Sequence, residues 1–190
     1  MITICHNGNE TLEVSVSSWG GHAGHGDYCG PCRDYYTIAP GQWSSPATWE
    51  NGTVPPYVLD NENVIINHPV TVQNDINVQN GGHLWVEGAT FAIQLSGLNI
   101  NDGAVTFVNS TVDVTNNIQM NSPTSEFTMD GGSLNVGLSF TNNGGTRFIK
   151  DVYLTIQNDF NNQGGSDDLQ NSCVEITNGD FKNSNSGSMD

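Results

Sequence analysis

The chain has 190 residues, with 4 Lys or Arg against 20 Asp or Glu, so its formal net charge is −16. Phosphate contacts require clustered Lys and Arg, so this balance excludes nucleic acid and anionic membrane surfaces as expected partners. No apolar run reaches the roughly 20 residues that span a bilayer, so we expect no membrane insertion. Asn, Ser, Thr, Gln and Gly supply the polarity and favour strands joined by tight turns.

Residues 1–33 are predicted to form a small Cys/His module. The stretches "ITICHNG" and "TLEVSVSS" have the pattern of strands, and "SSWGGHAGHGD" is predicted to form a helical turn or two. Such a helix places His22 and His25 on one face. Met1 leads directly into the first strand, as expected of a mature or excised chain.

The histidines of this module are candidate ligands of one divalent metal ion, zinc or calcium. Imidazoles with one carboxylate suit zinc or another transition ion, and the His-x-x-His spacing permits shared coordination. The candidate ligands are His6, His22, His25 and Asp27, with a thiolate as an alternative fourth ligand. In the competing structural interpretation, the histidines make ordinary hydrogen bonds.

The four cysteines are compatible with two disulfides and therefore with secretion. We expect Cys5 to pair with Cys32, which leaves Cys29 to reach Cys173. Such a staple is compatible with metal binding by the imidazoles. A thiol nucleophile beside a histidine is disfavoured, because a secreted setting oxidises it. Cys29 and Cys32 have the spacing of a redox pair but lack the βαβ context that such a pair needs.

The module resembles a short module of secreted, multidomain bacterial proteins that begins Cys-His and ends "A-H-x-x-H-G-D-x-x-G-x-C". The matching residues are Cys5, His6, Thr11, Val14, Ser15, His22, His25, Gly26, Asp27, Gly30 and Cys32. Cys29 stands where that module usually has no cysteine. The resemblance implies an extracellular setting, with no firmly assigned activity.

Residues 34–63 form a Trp-rich segment that is predicted to lead into the repeats and cap them, with Trp43 and Trp49 covering the open apolar end. The sequence "WSSPATWENGTVP", followed by "NVIINHPVTV", resembles the start of G8-like β-helical regions in large secreted bacterial surface proteins. That resemblance implies an extracellular β-helix and no settled catalytic residues.

Residues 64–190 contain a repeat of about 21 residues, which predicts an all-β fold, a parallel β-helix with about six coils. Each unit begins apolar-polar-apolar, as a strand with one buried face does. The inward ladder is predicted to be Val70, Phe91, Val112, Leu134, Leu154 and Val174. A third strand in each coil is predicted at Leu84, Val105, Phe127 and Phe148. Regular strands also suit an antiparallel sandwich, but a sandwich has no reason to repeat at a fixed step.

The outward surface indicates a non-enzymatic protein. Clefts for anionic sugars need Lys or Arg, and the basic residues are Arg33, Arg147, Lys150 and Lys182. Asp159 and Asp180 are expected to stack one coil apart, as a catalytic pair, a calcium site or solvated side chains. The outward set on the ladder wall contains no rank of Thr-x-Thr, which argues against ice binding: Thr71, Ala92, Asp113, Asn135, Thr155 and Glu175. Trp85 faces outward and is a candidate for stacking on a sugar.

These features predict an extracellular structural solenoid at a bacterial surface, either an adhesin stalk or a filament subunit. A carbohydrate-binding or carbohydrate-cleaving β-helix is the alternative. The last unit is followed by "KNSNSGSMD", in which no cap is evident. The expected partners are therefore neighbouring domains of a longer chain or a second copy docked head to tail.

Overall fold

The computed structural model describes residues 1–6, 10–24, 27–29 and 34–183, with only the backbone of Cys5, Glu10, Thr11, Tyr28 and Cys29. The fold is 56% strand and 8% helix, and its parallel sheets form a β-solenoid of about 6 turns with roughly 21 residues per turn. The fold class predicted from the repeat is therefore confirmed.

The N-terminal module is a three-stranded antiparallel sheet with one short helix. Its strands are β1 (Ile2–His6), β2 (Glu10–Val14) and β3 (Tyr28–Cys29), and β1 lies in the middle. A 3₁₀ turn (Val16–Ser18) leads into α1 (Trp19–Ala23). The two predicted strands and the predicted helical turn are thus present.

The solenoid has three walls of parallel strands. The first wall contains β4 (Asp34–Tyr36), β7 (Asn63–Ile66), β10 (His83–Glu87) and β19 (Ser166–Gln170), together with the first halves of β13 (Ala104–Val114), β15 (Glu126–Val136) and β17 (Thr146–Ile156). The second wall contains β5 (Gly41–Gln42), β8 (Val70–Val72), β11 (Thr90–Ile93), the second halves of β13, β15 and β17, and β20 (Cys173–Ile176). The third wall contains β6 (Val58–Asp60), β9 (Ile76–Gln79), β12 (Leu98–Asn101), β14 (Ile118–Met120), β16 (Phe140–Asn142), β18 (Phe160–Asn162) and β21 (Phe181–Asn183).

The second wall confirms the predicted inward ladder. Its register stacks Val70, Phe91, Val112, Leu134, Leu154 and Val174 in successive coils. The first five of these side chains are at most 2% exposed, whereas Val174 in the last described coil is half-buried. Polar partners on the same strands face outward, which is the alternation expected when one face of a sheet is buried.

The predicted third strands are all present on the first wall, but the alignment of their starts was wrong in one coil. Leu84, Val105 and Phe127 stack inward, and the residue in register with them in the next coil is Arg147 rather than Phe148. Phe148 instead aligns with the outward Thr128. The guanidinium of Arg147 can lie inside because it meets the buried carboxylate of Asp167 one coil further along.

The corner between the first and second walls requires a left-handed residue in successive coils. Positive φ angles of 47 to 77° occur at equivalent positions on Gly88, Asn109, Gly131, Asp151 and Asn171. Gly and Asn accept this conformation at low cost, so their repetition was a readable signal for the corner. One such residue turns the chain without breaking the ladder, and β13, β15 and β17 therefore continue across both walls.

The Trp-rich segment contributes β4, β5 and β6, one strand for each wall, and so forms a first coil of its own. Trp43 and Trp49 are fully buried, with ring centroids 5.1 Å apart. Each indole N–H is satisfied: Trp43 donates to the carbonyl of Pro55 at 3.0 Å and Trp49 to that of Trp43 at 2.7 Å. Both rings belong to the apolar core, and the 3₁₀ turns Pro46–Thr48 and Glu50–Gly52 lie on either side of Trp49 in the chain.

We expect Leu134→Asp to destabilise the solenoid strongly, because an unpaired carboxylate in this ladder costs several kcal/mol. The melting temperature followed by circular dichroism should fall by about 10 °C or more. Asn135→Asp is the matched control, since Asn135 is an exposed residue of the same strand. Equal melting temperatures for the two variants would contradict the inward assignment of Leu134.

Candidate functional site

The module brings together three of the four predicted metal ligands. His6 ends β1, His22 lies in α1, and Asp27 directly precedes β3. The Asp27 side chain is fully buried, and one of its oxygens, Oδ2, lies 2.7 Å from Nδ1 of His6 and 2.6 Å from Nδ1 of His22. The two imidazole rings meet edge to face with their centroids 5.3 Å apart. One ligand atom from each residue lies within 4.8 Å of the others.

The structure does not describe the side chains of the other predicted ligand and the cysteines of the module. His25 and Cys32 lie outside the described residues, as do the side chains of Cys5 and Cys29. The Cys5–Cys32 disulfide therefore stays a prediction. Cys173, at the start of β20, carries a free and exposed thiol, so the structure does not contain the expected Cys29–Cys173 bond.

A second candidate site lies on the first wall around Trp85. The outward residues of three successive coils, Tyr36, Ile65 and Trp85, are in register along the axis. They border a surface depression of about 320 Å³ together with the polar side chains of Asp34, Asn63 and His83. The sequence predicted the outward position of Trp85, but its neighbours became visible only with the register.

The polar groups of this depression are held in place by one another. Nδ2 of Asn63 donates to Oδ1 of Asp34 at 2.8 Å, and the Tyr36 hydroxyl donates to the other oxygen at 3.4 Å. Burial lowers the pKa of His83 below its usual value, and the carboxylate of Glu126 opposes this shift. The lowered pKa favours the neutral form of the imidazole, and the other titratable side chains that line the depression are Asp34 and Tyr36.

Arg147 does not face a cleft, because its side chain is fully buried in the solenoid core. Nε donates to Oδ1 of Asp167 at 3.0 Å, and Nη2 donates to Oδ2. The guanidinium carbon lies 3.8 Å from the ring centroid of Phe160 and 4.4 Å from that of Phe140. Burial lowers the pKa of Arg147, and the carboxylate of Asp167 opposes that shift. Two aromatic rings, which meet each other edge to face, and a bidentate carboxylate replace the water that the charge has lost.

Buried Asn side chains close the adjacent turns. Oδ1 of Asn142 accepts the backbone N–H of Gly145 at 2.9 Å, and its Nδ2 donates to Oδ1 of Asp167 at 3.0 Å. Asn162 closes the next turn on Gly165 in the same way. The sequence carries a signal for these turns, since "FTNNGG" and "FNNQGG" recur 20 residues apart. These Asn residues therefore serve the structure.

The predicted pair of Asp159 and Asp180 stacks one coil apart as expected. Oδ1 of Asp159 accepts the backbone N–H of Asp180 at 3.0 Å, and Oδ2 binds Nζ of Lys182 at 2.7 Å. The hydrogen bond from Lys182 lowers the pKa of Asp159, and the Asp180 N–H adds to this effect. Both contacts indicate that Asp159 fastens the last described coil to its neighbour.

Neither the helices of the described chain nor comparisons with known proteins indicate a function. No helix in the described part of the chain is long and apolar enough to cross a bilayer. Comparisons with family models, with curated proteins and with solved structures find no match. What the chain does has to follow from its own residues.

We expect Asp167→Asn to cost about 3–5 kcal/mol in the free energy of unfolding, because it leaves a buried guanidinium without its counter-charge. The double variant Arg147→Met/Asp167→Leu should recover most of that loss, since it removes both charges. Urea unfolding measures these differences. Lys150→Met is the control from β17, the strand that also contains Arg147. The contact of Lys150 with Asp130, at 3.5 Å, is half-exposed and should contribute less than about 1 kcal/mol to the free energy of unfolding. A double variant less stable than Asp167→Asn would contradict this account.

Proposed function

We propose that this chain is an extracellular structural β-solenoid of a bacterial surface, acting as a rigid adhesin stalk or as a filament subunit. The observation that carries the proposal is the unbroken register of the three walls from β4 to β21. Parallel coils in continuous register form a stiff rod, because each coil is hydrogen-bonded to its neighbours along the axis. The likeness of residues 1–33 and 41–80 to secreted bacterial proteins supports the location.

We propose no catalytic role for the solenoid. The acidic pair that was the candidate for catalysis, Asp159 and Asp180, is engaged in coil-to-coil contacts through Asp159. Arg147, which a lyase would need on its surface, is buried beside Asp167. Both sets of charged groups therefore support a role in holding the rod together.

The last described coil supports end-to-end continuation of the rod. Phe181 stacks on Phe160 with centroids 4.9 Å apart, yet Phe181 is 44% exposed whereas Phe160 is fully buried. Leu169, Val174 and Ile176 pack on the core and are also only partly buried. An apolar coil face of this kind is stabilised by a further coil or a cap. We propose that a neighbouring domain of a longer chain or a second copy supplies it.

We expect the purified chain to form unbranched fibres at high concentration if a second copy covers this face, because a head-to-tail contact does not close on itself. Electron microscopy should then give an axial repeat of roughly 34 Å for the seven coils from β4 to β21 at about 4.8 Å each, plus the module. Val174→Lys should abolish the fibres and leave the β signal in circular dichroism. Thr155→Lys, an outward change one coil earlier, is the control.

A chain that remains monomeric in sedimentation at all concentrations would contradict the filament role. The stalk role would then require that adjoining domains cover the same face, and a chain lengthened at this end by further coils should protect Phe181 from solvent.

The depression around Trp85 favours carbohydrate binding as a second candidate function. Protein sites for sugars pair an aromatic face with a few fixed polar groups, and Trp85 with Asp34, Asn63 and His83 has this composition. Since the lowered pKa of His83 favours its neutral form and the lining includes the carboxylate of Asp34, we propose a neutral sugar chain as the ligand.

We expect Trp85→Ala to weaken binding of a neutral polysaccharide about tenfold, or ~1.4 kcal/mol, because it removes the stacking face. Titration calorimetry against a panel of soluble neutral polysaccharides measures the effect. Tyr153→Ala is the matched control, since Tyr153 is a 50% exposed aromatic residue on the second wall. Equal losses in both variants, or no binding by the unaltered chain, would remove this candidate.

A further inference from the structure

The module is too small to be held together by its described apolar side chains. Among the side chains that the structure describes between residues 1 and 29, Ile4 is the one apolar side chain that is fully buried. Val16 is 67% exposed, and α1 contains no buried residue. Domains of fewer than about 40 residues usually need a disulfide or a metal ion, because their cores supply too little free energy.

The buried polar cluster lies where such a staple is needed. His6, His22 and Asp27 come from the central strand, from the helix and from the segment that leads into β3. One bond to each would join all the elements of the module except β2. An ionised carboxylate at this buried position needs a compensating charge. Both imidazoles direct Nδ1 toward the same oxygen of Asp27, Oδ2.

We propose that His6, His22 and Asp27 bind one divalent transition ion of the zinc type, and that this ion fastens α1 to the sheet of the module. The assignment is independent of the function proposed for the solenoid. Two imidazole nitrogens and one carboxylate oxygen form a donor set that suits zinc, with bonds of about 2.0–2.2 Å. Calcium takes six to eight oxygen ligands, which this cluster does not supply.

The geometry requires only a small adjustment to accept the ion. Tetrahedral bonds of about 2.0–2.1 Å place neighbouring ligand atoms roughly 3.3 Å apart. The two nitrogen–oxygen distances are 2.7 and 2.6 Å, so each pair has to open by less than 1 Å. The His6 and His22 side chains are 25% and 21% exposed, so neither ring is fully enclosed by neighbouring atoms. His25, predicted as a ligand from its spacing, lies outside the described residues.

The test uses the full chain, stripped with a chelator and then titrated with Zn²⁺, Co²⁺ or Ca²⁺ alone. We expect one Zn²⁺ per chain by elemental analysis after desalting, no retained Ca²⁺, and the visible absorption of tetrahedral Co²⁺. Thiolate ligands would add an intense near-ultraviolet charge-transfer band. Its appearance would overturn the proposed ligand set, and its absence supports the set.

Variants then locate the ion. His22→Gln and Asp27→Asn should each lose stoichiometric Zn²⁺ and the Co²⁺ spectrum, whereas His68→Gln and His83→Gln, on the solenoid, should retain both. If the unaltered chain binds no Zn²⁺, or if His22→Gln binds it as well as the unaltered chain, the proposal is wrong and the cluster is a hydrogen-bonded pair of histidines on a carboxylate. Circular dichroism, measured on each full-length variant, shows whether its solenoid is still folded.

Discussion

The solenoid depends on one constraint, the parallel in-register stacking of each coil on the next. Because strands repeat about every 4.8 Å along the axis, every side chain packs on the equivalent side chain one coil before and one coil after it. Val112 thus lies between Phe91 and Leu134, and all three are at most 1% exposed. A slip of one residue in any coil would turn its apolar residues outward, so the register is strongly specified wherever the ladder is apolar.

The same constraint decides how a polar residue is tolerated inside. An inward charge has its nearest neighbours about 20 residues away in sequence, and Arg147 meets Asp167 at that distance. Phe140 and Phe160, on the third wall, cover the guanidinium from two sides. Asn142 completes the arrangement by binding both its own turn and Asp167. The charged pair interrupts the apolar ladder without leaving a buried polar atom unsatisfied among the described side chains.

The period and most of the register could be predicted from the sequence, because alternation and a fixed step are properties of the chain alone. The ladder from Val70 to Val174 follows from them directly. The position of Arg147 could not be predicted in this way, because residue type argues for the surface and only the acid one coil later permits burial. In the module, the sequence predicted that His6, His22 and Asp27 belong together. The meeting of both Nδ1 atoms on one oxygen depends on how α1 packs on β1, which no spacing reveals.

The two parts of the chain use different physical means to stay folded. The solenoid adds stability coil by coil, since each coil buries its apolar face against its neighbours. The described part of the module has too few strands and buried side chains for that. Its elements meet instead at one buried carboxylate and two imidazoles. Stiffness along the axis is therefore a property of the solenoid. If the proposed ion is bound, its removal should act on the module first, because His6, His22 and Asp27 all belong to the module. The inward ladders of the solenoid include the buried Arg147–Asp167 pair but contain none of these three residues, so the rod should keep its shape while the module responds.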